Sequence, residues 1–286
     1  MIKRSWGERI FNVLNLLFLG ILSVCALYPI YHVLMASFSS SGALMAHSGL
    51  LLWPAGFSTA AYDTILSNKN IWTGYGNTIF IVIVGTALSL LVTSMAAYPL
   101  SRKSFGARRF FMLLITFTMM FSGGLIPRFL VVKSVGMYDS VWSLICPVLI
   151  NTTNLIIMRT AFSEIPDSLE ESAKIDGAND LVVYARIVLP LAQATTAVLC
   201  LYYGVAYWNS WFTASIYLRT RSKFPLQLIL REILIANDNE TASDSELMSE
   251  SIKYAAIIVS TLPILCVYPF LQKYFVKGVM IGAVKG

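Results

Sequence analysis

Charge is scarce in this sequence. Only 13% of its 286 residues are charged, whereas 57% are hydrophobic, and an ordinary soluble domain carries about 25% charged residues. This deficit argues against a soluble protein and predicts a chain whose main solvent is lipid. The formal net charge of +6 does not indicate nucleic acid, because the basic residues cluster beside apolar runs, where they orient membrane proteins.

Groups of metal-binding or catalytic residues are also lacking. The cysteines stand singly in apolar stretches, without CxxC spacing or histidine partners. They are Cys25, Cys146, Cys200 and Cys266. The apolar runs hold no paired His, Cys or carboxylate constellation either. We therefore predict no metal site, no catalytic residue and no enzyme activity in this chain.

Two sources of energy for transport are missing as well. A charge at the centre of a membrane helix costs at least ~2.5–3.5 kcal/mol, and the apolar runs hold no such charge apart from Arg128, which falls at an outer end. His32 is the one strongly titratable candidate, and a lone histidine near a span end favours a structural role. The phosphate-binding loop GxxxxGK[ST] is also absent. Active transport would therefore need energy from another subunit.

Six apolar runs approach or exceed the roughly 20 residues that a helix needs to cross a bilayer. They predict an all-α polytopic membrane protein with one domain, residues 1–286. The predicted spans are Phe11–Ala36, Tyr75–Leu100, Phe110–Leu130, Val141–Met158, Leu191–Leu218 and Tyr254–Leu271. Prolines in these runs and the pair Gly123-Gly124 should bend spans rather than end them, because neighbouring helices satisfy the freed backbone groups.

The basic residues also predict the orientation. Most of the 21 Lys and Arg residues fall in the segments that are cytoplasmic if both termini lie inside, as the positive-inside rule expects. The exception is the last outer loop, residues 219–253, where basic and acidic residues mix. This extracytoplasmic loop suits either protein contact or simple solvation.

The cytoplasmic segment 163–190 is long for a helix connection, which usually takes 2–8 residues. Its first half predicts a short helix with three local signals. Pro166 suits the first turn, Ser168 and Glu171 have capping-box spacing, and Glu170 with Lys174 forms an i,i+4 ion pair.

The second half of the segment predicts a stop and a new helix. Gly177 can supply a left-handed stop, and Asn179 or Asp180 can cap the next helix. On the first helix Ser172 and Ala173 share a face with an apolar neighbour, Leu169, which suits docking by another protein. An amphipathic helix resting on the membrane would show the same pattern.

The spacing Glu171-Ser-Ala173, three residues, Gly177, nine residues, Ile187, one residue, Leu189-Pro190 resembles the EAA signature of binding-protein-dependent ABC importer permeases. Only Ser172 departs from it, one small residue for another. The resemblance implies a type I importer permease (MetI-like) fold with a cytoplasmic coupling helix between spans four and five. It assigns ATPase coupling to Glu170, Glu171, Ala173, Asp176, Gly177, Ala178, Leu189 and Pro190.

The same resemblance implies the partners and the location. The chain would pair with a second, homologous permease subunit as a heterodimer, with two ATPase subunits and with an extracytoplasmic solute-binding protein. ATP and Mg would be held by the ATPase subunits, and this chain would bind no cofactor. The expected location is the cell membrane of a prokaryote.

Three further stretches resemble the carbohydrate-uptake, maltose-permease-like subunits. They lie around span two (residues 76–78 and 96–102), in and after span five (207–211 and 224–228), and in the C-terminal tail (274–286). In that family a cytoplasmic tail such as residues 272–286 reaches the ATPase subunits. The spacing around Arg219 and Arg231 looks most like a subgroup that imports oligosaccharides, including uronate-containing ones. A non-sugar solute, such as an amino acid or peptide, is the alternative.

Aromatic residues in span five suit a sugar pathway, because ring faces stack on sugars while Asn and Tyr groups bond hydroxyls. Tyr203, Tyr207 and Trp211 recur every four residues. The candidate pathway residues are Asn77, Tyr203, Tyr207, Trp208, Asn209 and Trp211. The competing readings are an interfacial aromatic belt and, for Asn77, helix capping or interhelical bonding.

Overall fold

The computed structural model describes residues 6–121, 123–239 and 250–266, and every regular element in these ranges is a helix. A lone bridge joins Ser39 and Phe57. The helices are α1 (Trp6–Ser37), α2 (Ser41–Ala46), α3 (Ala60–Ser67), α4 (Lys69–Ser101), α5 (Arg108–Met120), α6 (Leu125–Ser134), α7 (Trp142–Ile145), α8 (Thr152–Ser163), α9 (Asp167–Ile175), α10 (Asp180–Val183), α11 (Leu189–Leu191), α12 (Gln193–Trp208), α13 (Trp211–Tyr217), α14 (Leu226–Asn239) and α15 (250–266). The all-α prediction is confirmed for the described residues.

Two helices are long and apolar enough to cross a membrane unbroken. They are α1 and α4, with mean hydropathies of 2.3 and 2.4 over their most apolar windows. Pro29 and Pro99 lie inside these two helices without ending them. Both prolines therefore behave as expected for a membrane helix.

Three further candidate spans are bent pairs of helices. The pairs and their angles are Arg108–Met120 with Leu125–Ser134 (115°), Trp142–Val148 with Thr152–Ser163 (51°) and Asp180–Leu191 with Gln193–Trp208 (82°). The described residues thus offer up to five spans. The predicted sixth, Tyr254–Leu271, is helical as far as residue 266, and the rest of it lies outside the described residues, so the count of six stays a prediction.

The breaks correct the predicted bounds of spans three and five. The run Phe110–Leu130 is interrupted after Met120, and Gly124 takes a φ of 81° where the chain turns into α6. In the run Leu191–Leu218, α12 ends at Trp208, and the Asn209 amide donates back to the Val205 carbonyl (3.0 Å). Trp211 therefore begins a new helix and does not continue the fourfold spacing of Tyr203 and Tyr207.

The chain divides into two compact units. Of the described residues, the first contains 6–69, 232–239 and 250–262. In it the apolar window of α1 has no buried residue. The end of α1 is tied to the following loop, since Tyr28 Oη accepts from the Leu51 N–H (3.1 Å) and Tyr31 Oη donates to the Leu52 carbonyl (2.6 Å). The rings of Tyr28 and Tyr254 each lie 5.9 Å from that of His32, between centroids.

Of the described residues, the second unit contains 70–121, 123–231 and 263–266. Its longest helix is α4. Ile81 on α4 belongs to one apolar cluster with residues of α7, α12 and α13, while Ala97 and Leu100 belong to another with residues of α8 and α12. α4 therefore contacts both ends of this unit.

A polar seam runs along α4 between the two clusters. Its three hydroxyls bond tyrosine hydroxyls: Ser89 with Tyr207 (2.9 Å), Thr93 with Tyr203 (2.7 Å) and Ser94 with Tyr184 (2.7 Å). Interhelical bonds of this kind contribute about 0.6 kcal/mol each on average. Gly85 leaves room for the Tyr207 ring, since a Cβ there would lie 2.8 Å from it.

Candidate coupling segment and substrate cavity

The predicted coupling segment, residues 163–190, folds as two short helices with a turn between them. α9 begins at Asp167, and Pro166 occupies the capping position with an extended ψ of 133°. The capping box predicted from Ser168 and Glu171 is not formed, because no side-chain bond caps this helix. Proline places the helix start two residues earlier than a serine cap would require, so Ser168 already lies within the first turn.

The turn that ends α9 agrees with the prediction. Gly177 has a φ of +86°, and the N–H groups of Gly177 and Ala178 donate to the carbonyls of Lys174 (3.0 Å) and Ala173 (2.9 Å). This is the Schellman arrangement of a glycine-terminated helix. Asn179 then caps α10, with its Oδ1 accepting from the Val182 N–H (2.9 Å).

The predicted ion pair of Glu170 with Lys174 is wrong. Glu170 instead turns inward to Arg102 at the end of α4, with Oε1 and Nη2 2.6 Å apart, and both side chains are about nine-tenths buried. Lys174 pairs with Asp180 on the surface (2.9 Å), and this hydrogen bond raises the pKa of Lys174. A long-range partner thus replaced the local one, because it offers Glu170 a buried countercharge.

The outward face of the segment exposes two large apolar side chains among charged and small residues. Ile175 is 86% exposed and Leu181 is 68% exposed. The predicted coupling residues divide into an exposed group (Glu171, Asp176, Gly177 and Pro190), a half-buried group (Ala173, Ala178 and Leu189) and the buried Glu170. No atom lies within 4 Å of a Cβ built on Gly177, so the turn faces open space. Exposed apolar side chains beside an open glycine turn are compatible with a protein partner.

A cavity of about 420 Å³ lies beside α12, within the size range of small-ligand sites. Its lining is uncharged and mixes apolar, aromatic, amide and hydroxyl side chains. The lining residues are Leu144, Val148, Asn151, Asn154, Tyr202, Tyr203, Ala206, Tyr207, Asn209, Ser210, Phe212 and Thr213. This lining can bond hydroxyl groups and contact apolar ring faces.

Three of the predicted pathway residues line this cavity, namely Tyr203, Tyr207 and Asn209. The two tyrosines are each only 3% exposed, and their hydroxyls bond α4. Both tyrosines therefore face protein, and the alternative of an interfacial aromatic belt does not apply to them. Their rings border the cavity while their hydroxyls hold α12 against α4.

The other three predicted pathway residues lie elsewhere. The Asn77 amide donates to the carbonyls of Ser222 (2.8 Å) and Phe224 (3.0 Å), so it fixes the loop before α14. Trp208 is buried, and Trp211 stacks under the Arg231 guanidinium, 3.5 Å from the ring centroid.

Sequence reasoning missed the polar lining residues outside the aromatic run. Asn151 and Asn154 come from the start of α8, and Ser210 and Thr213 from the break before α13 and its first turn. Amides within an apolar run are costly in lipid, and they are the signal that could have identified the first two.

A group of hydrogen bonds around Asp139, here called the Asp139 tie, holds the loop after α13. This loop lies at the other end of α4 from Arg102. Asp139, with a φ of 55°, accepts from the Thr220 hydroxyl and from the N–H groups of Thr220 and Arg219 (2.9 Å each). Lys223 Nζ lies 3.0 Å from the same carboxylate. These bonds, those of Thr220 first, hold the pKa of Asp139 well below its ordinary value of 3.8.

We predict that this tie depends on the Asp139 charge. A lowered carboxyl pKa adds stability that is complete above the ordinary value and is lost as the pH falls below it. The amides of Arg219 and Thr220 should therefore keep their full protection from hydrogen exchange down to about pH 4 and lose it progressively as the pH falls further towards the lowered pKa of Asp139. Asp139→Asn should expose them at pH 7, whereas Asp63→Asn on α3 should not. Equal protection in the two variants would contradict the prediction.

Together the features describe a helical membrane protein with an exposed helix–turn–helix segment and an uncharged cavity. Residues 85–281 match the family described as the binding-protein-dependent transport system inner membrane component, and the chain belongs to this family. Members of this family are the membrane permease components of ABC importers.

The chain is also similar to three individual proteins. It is 44% identical to the polygalacturonan/rhamnogalacturonan transport system permease protein YtcP of Bacillus subtilis, covering 98% of this chain and 99% of YtcP. It is 42% identical to the protein LplC of the same organism, over 97% and 96%. Among solved structures, a bacterial ABC transporter involved in the import of the acidic polysaccharide alginate has a chain that matches with a TM-score of 0.87 and 35% identity, over 96% of this chain and 100% of that one.

Proposed function

We propose that this chain is the membrane permease subunit of an ATP-driven importer that moves an oligosaccharide across the membrane by alternating access. The observation that carries the proposal is the coupling segment, a preformed helix with a glycine stop and exposed apolar residues, in a chain of this permease family. A rigid docking helix converts closure of an ATPase into rigid-body motion of the membrane helices.

The coupling role is proposed for Glu170, Glu171, Ala173, Asp176, Gly177, Ala178, Leu189 and Pro190. ATP and Mg are expected in two separate ATPase subunits, so hydrolysis takes place outside this chain. A second, homologous permease subunit would complete the pathway, and an extracytoplasmic binding protein would deliver the sugar. Both termini would then be cytoplasmic, with the Asp139 tie on the outer side and the Arg102 pair on the inner side.

The substrate is proposed to be an oligosaccharide that contains uronate residues. The uncharged cavity offers amide and hydroxyl groups suited to sugar hydroxyls. Two proteins similar to this chain carry acidic polysaccharides in their names, which favours a uronate over the alternative, an amino acid or peptide.

Uptake by the complete importer in proteoliposomes tests this proposal. With the cognate binding protein outside and ATP inside, we expect uptake of oligogalacturonate or alginate oligosaccharides in preference to maltotriose, and no uptake of a tripeptide. Uptake of the tripeptide alone would overturn the sugar assignment, and a working complex without a bound ATPase would overturn the whole proposal.

A further inference from the structure

One face of α4 carries a line of polar and aromatic side chains that leads to the coupling segment. Ser94, Tyr98 and Arg102 are spaced four residues apart and so share a face of the helix. The Arg102 guanidinium lies over the Tyr98 ring, 5.3 Å from its centroid. The line runs from the polar seam to the end of the helix.

This face contacts the coupling segment at two places. Arg102 meets Glu170 in the middle of α9. Further along the chain, the hydroxyl of Tyr184 bonds Ser94 (2.7 Å) and its ring lies 5.6 Å from that of Tyr98. Tyr184 begins a π-helical turn, Tyr184–Val188, an element that is rare and often found at functional sites. The same helix face therefore grips the segment on both sides of the Gly177 turn.

The Arg102–Glu170 contact is a close and buried ion pair. Its atoms are close (2.6 Å) but not aligned as a hydrogen bond, and Arg102 Nε is buried without an acceptor among the described residues. Asp167 Oδ1, 3.7 Å from Nη1, is the other carboxylate on this guanidinium. Because each buried charge depends on its partner, α9 cannot move away from α4 without leaving a charge unpaired.

Neighbouring contacts hold the end of α4 but carry no such charge dependence. Arg159 Nε donates to the Leu100 carbonyl (3.2 Å), and Ser163 Oγ to that of Ser101 (3.5 Å). These bonds join α8 to α4, whereas the ion pairs that join α9 to α4 are made by Arg102, beside the apolar packing of Ala173. The pair is therefore placed to carry force from the docking helix.

We infer that Arg102 and Glu170 are positioning residues that transmit motion of the docking helix α9 to the membrane helix α4, with Tyr98 and Tyr184 supporting the link. The inference rests on the proposed function, since the motion comes from a bound ATPase. In this arrangement Glu170 faces the membrane helices, and the exposed Glu171 faces the ATPase.

Hydrogen exchange of the assembled importer, with and without Mg-ATP, tests the link. In the wild type, ATP should change the exchange rates of α9 and of residues 96–102 together. In Arg102→Gln the change at α9 should persist, while the change at residues 96–102 should shrink about fivefold or more. Lys103→Glu alters the charge of the exposed neighbouring residue and should leave both responses intact.

A charge swap separates transmission from mere structural support. The double variant Arg102→Glu with Glu170→Arg should restore the ATP response at residues 96–102, even if either single variant assembles poorly. An unchanged response in Arg102→Gln, or a double variant that assembles no better and responds no more than Arg102→Glu, would overturn the inference. If ATP changes nothing at α9 in the wild type, or no ATPase is bound, the proposed function itself fails.

Discussion

Replacing Gly177 with valine is expected to abolish ATPase association and transport in a chain that still folds. The residue has a φ of +86° and closes α9 in a Schellman turn. Left-handed backbone costs an ordinary residue about 1–2 kcal/mol. Among the described residues, a Cβ at Gly177 would meet nothing within 4 Å. An internal clash with them is therefore not the reason to expect damage here. Damage beyond the backbone cost must come from a partner surface.

Gly136 provides a matched control for that prediction. It ends α6 with a φ of 76°, and the N–H groups of Gly136 and Met137 donate to Lys133 and Val132 as their counterparts do in α9. It also has no atom within 4 Å of a built Cβ. Both valine variants should lose similar thermal stability, but only Gly177→Val should fail to copurify with the ATPase. Equal ATPase binding by the two variants would count against docking at this turn.

Replacing Gly85 with valine should destabilise the second unit strongly. A Cβ there would lie 2.8 Å from two atoms of the Tyr207 ring, and that ring is buried and bonded to Ser89. Overpacking of this kind costs about 1–3 kcal/mol, and valine adds two methyl groups to the clash. The thermal unfolding midpoint in detergent should fall clearly, and transport should be lost because Tyr207 borders the cavity.

Gly76, on the same helix, is the control for Gly85. A built Cβ at Gly76 has no neighbour within 4 Å, so Gly76→Val changes helix propensity without a clash. Its unfolding midpoint should stay near that of the wild type. The prediction is wrong if the two variants have the same unfolding midpoint. The loss of stability would then come from the valine in α4 itself and not from the contact of α4 with α12.

Local signals in the sequence were reliable where a few adjacent residues decide the outcome. Gly177 ends a helix because it alone accepts the left-handed turn cheaply, and Asn179 caps the next helix through its own side chain. The prolines in α1 and α4 were also anticipated, since a membrane bundle tolerates them.

Long-range contacts decided the features that the sequence did not reveal. Glu170 has a plausible partner four residues away, yet it pairs with Arg102, which is distant in the chain and buried beside it. The break at Asn209-Ser210 separates Trp211 from Tyr207, although the aromatic spacing suggests one helix. The cavity draws Asn151 and Asn154 from another helix pair, and no periodicity of α12 could identify them.

The tyrosine hydroxyls that bond Ser89, Thr93 and Ser94 also affect how easily the packed helices could separate and pack again. When two apolar surfaces separate in water, they are exposed to solvent and cannot form hydrogen bonds with it, which costs free energy. A hydroxyl that loses its tyrosine partner can instead bond an entering water molecule at little net loss. A separation of α4 from these tyrosines during transport would therefore leave no polar group of the seam without a partner.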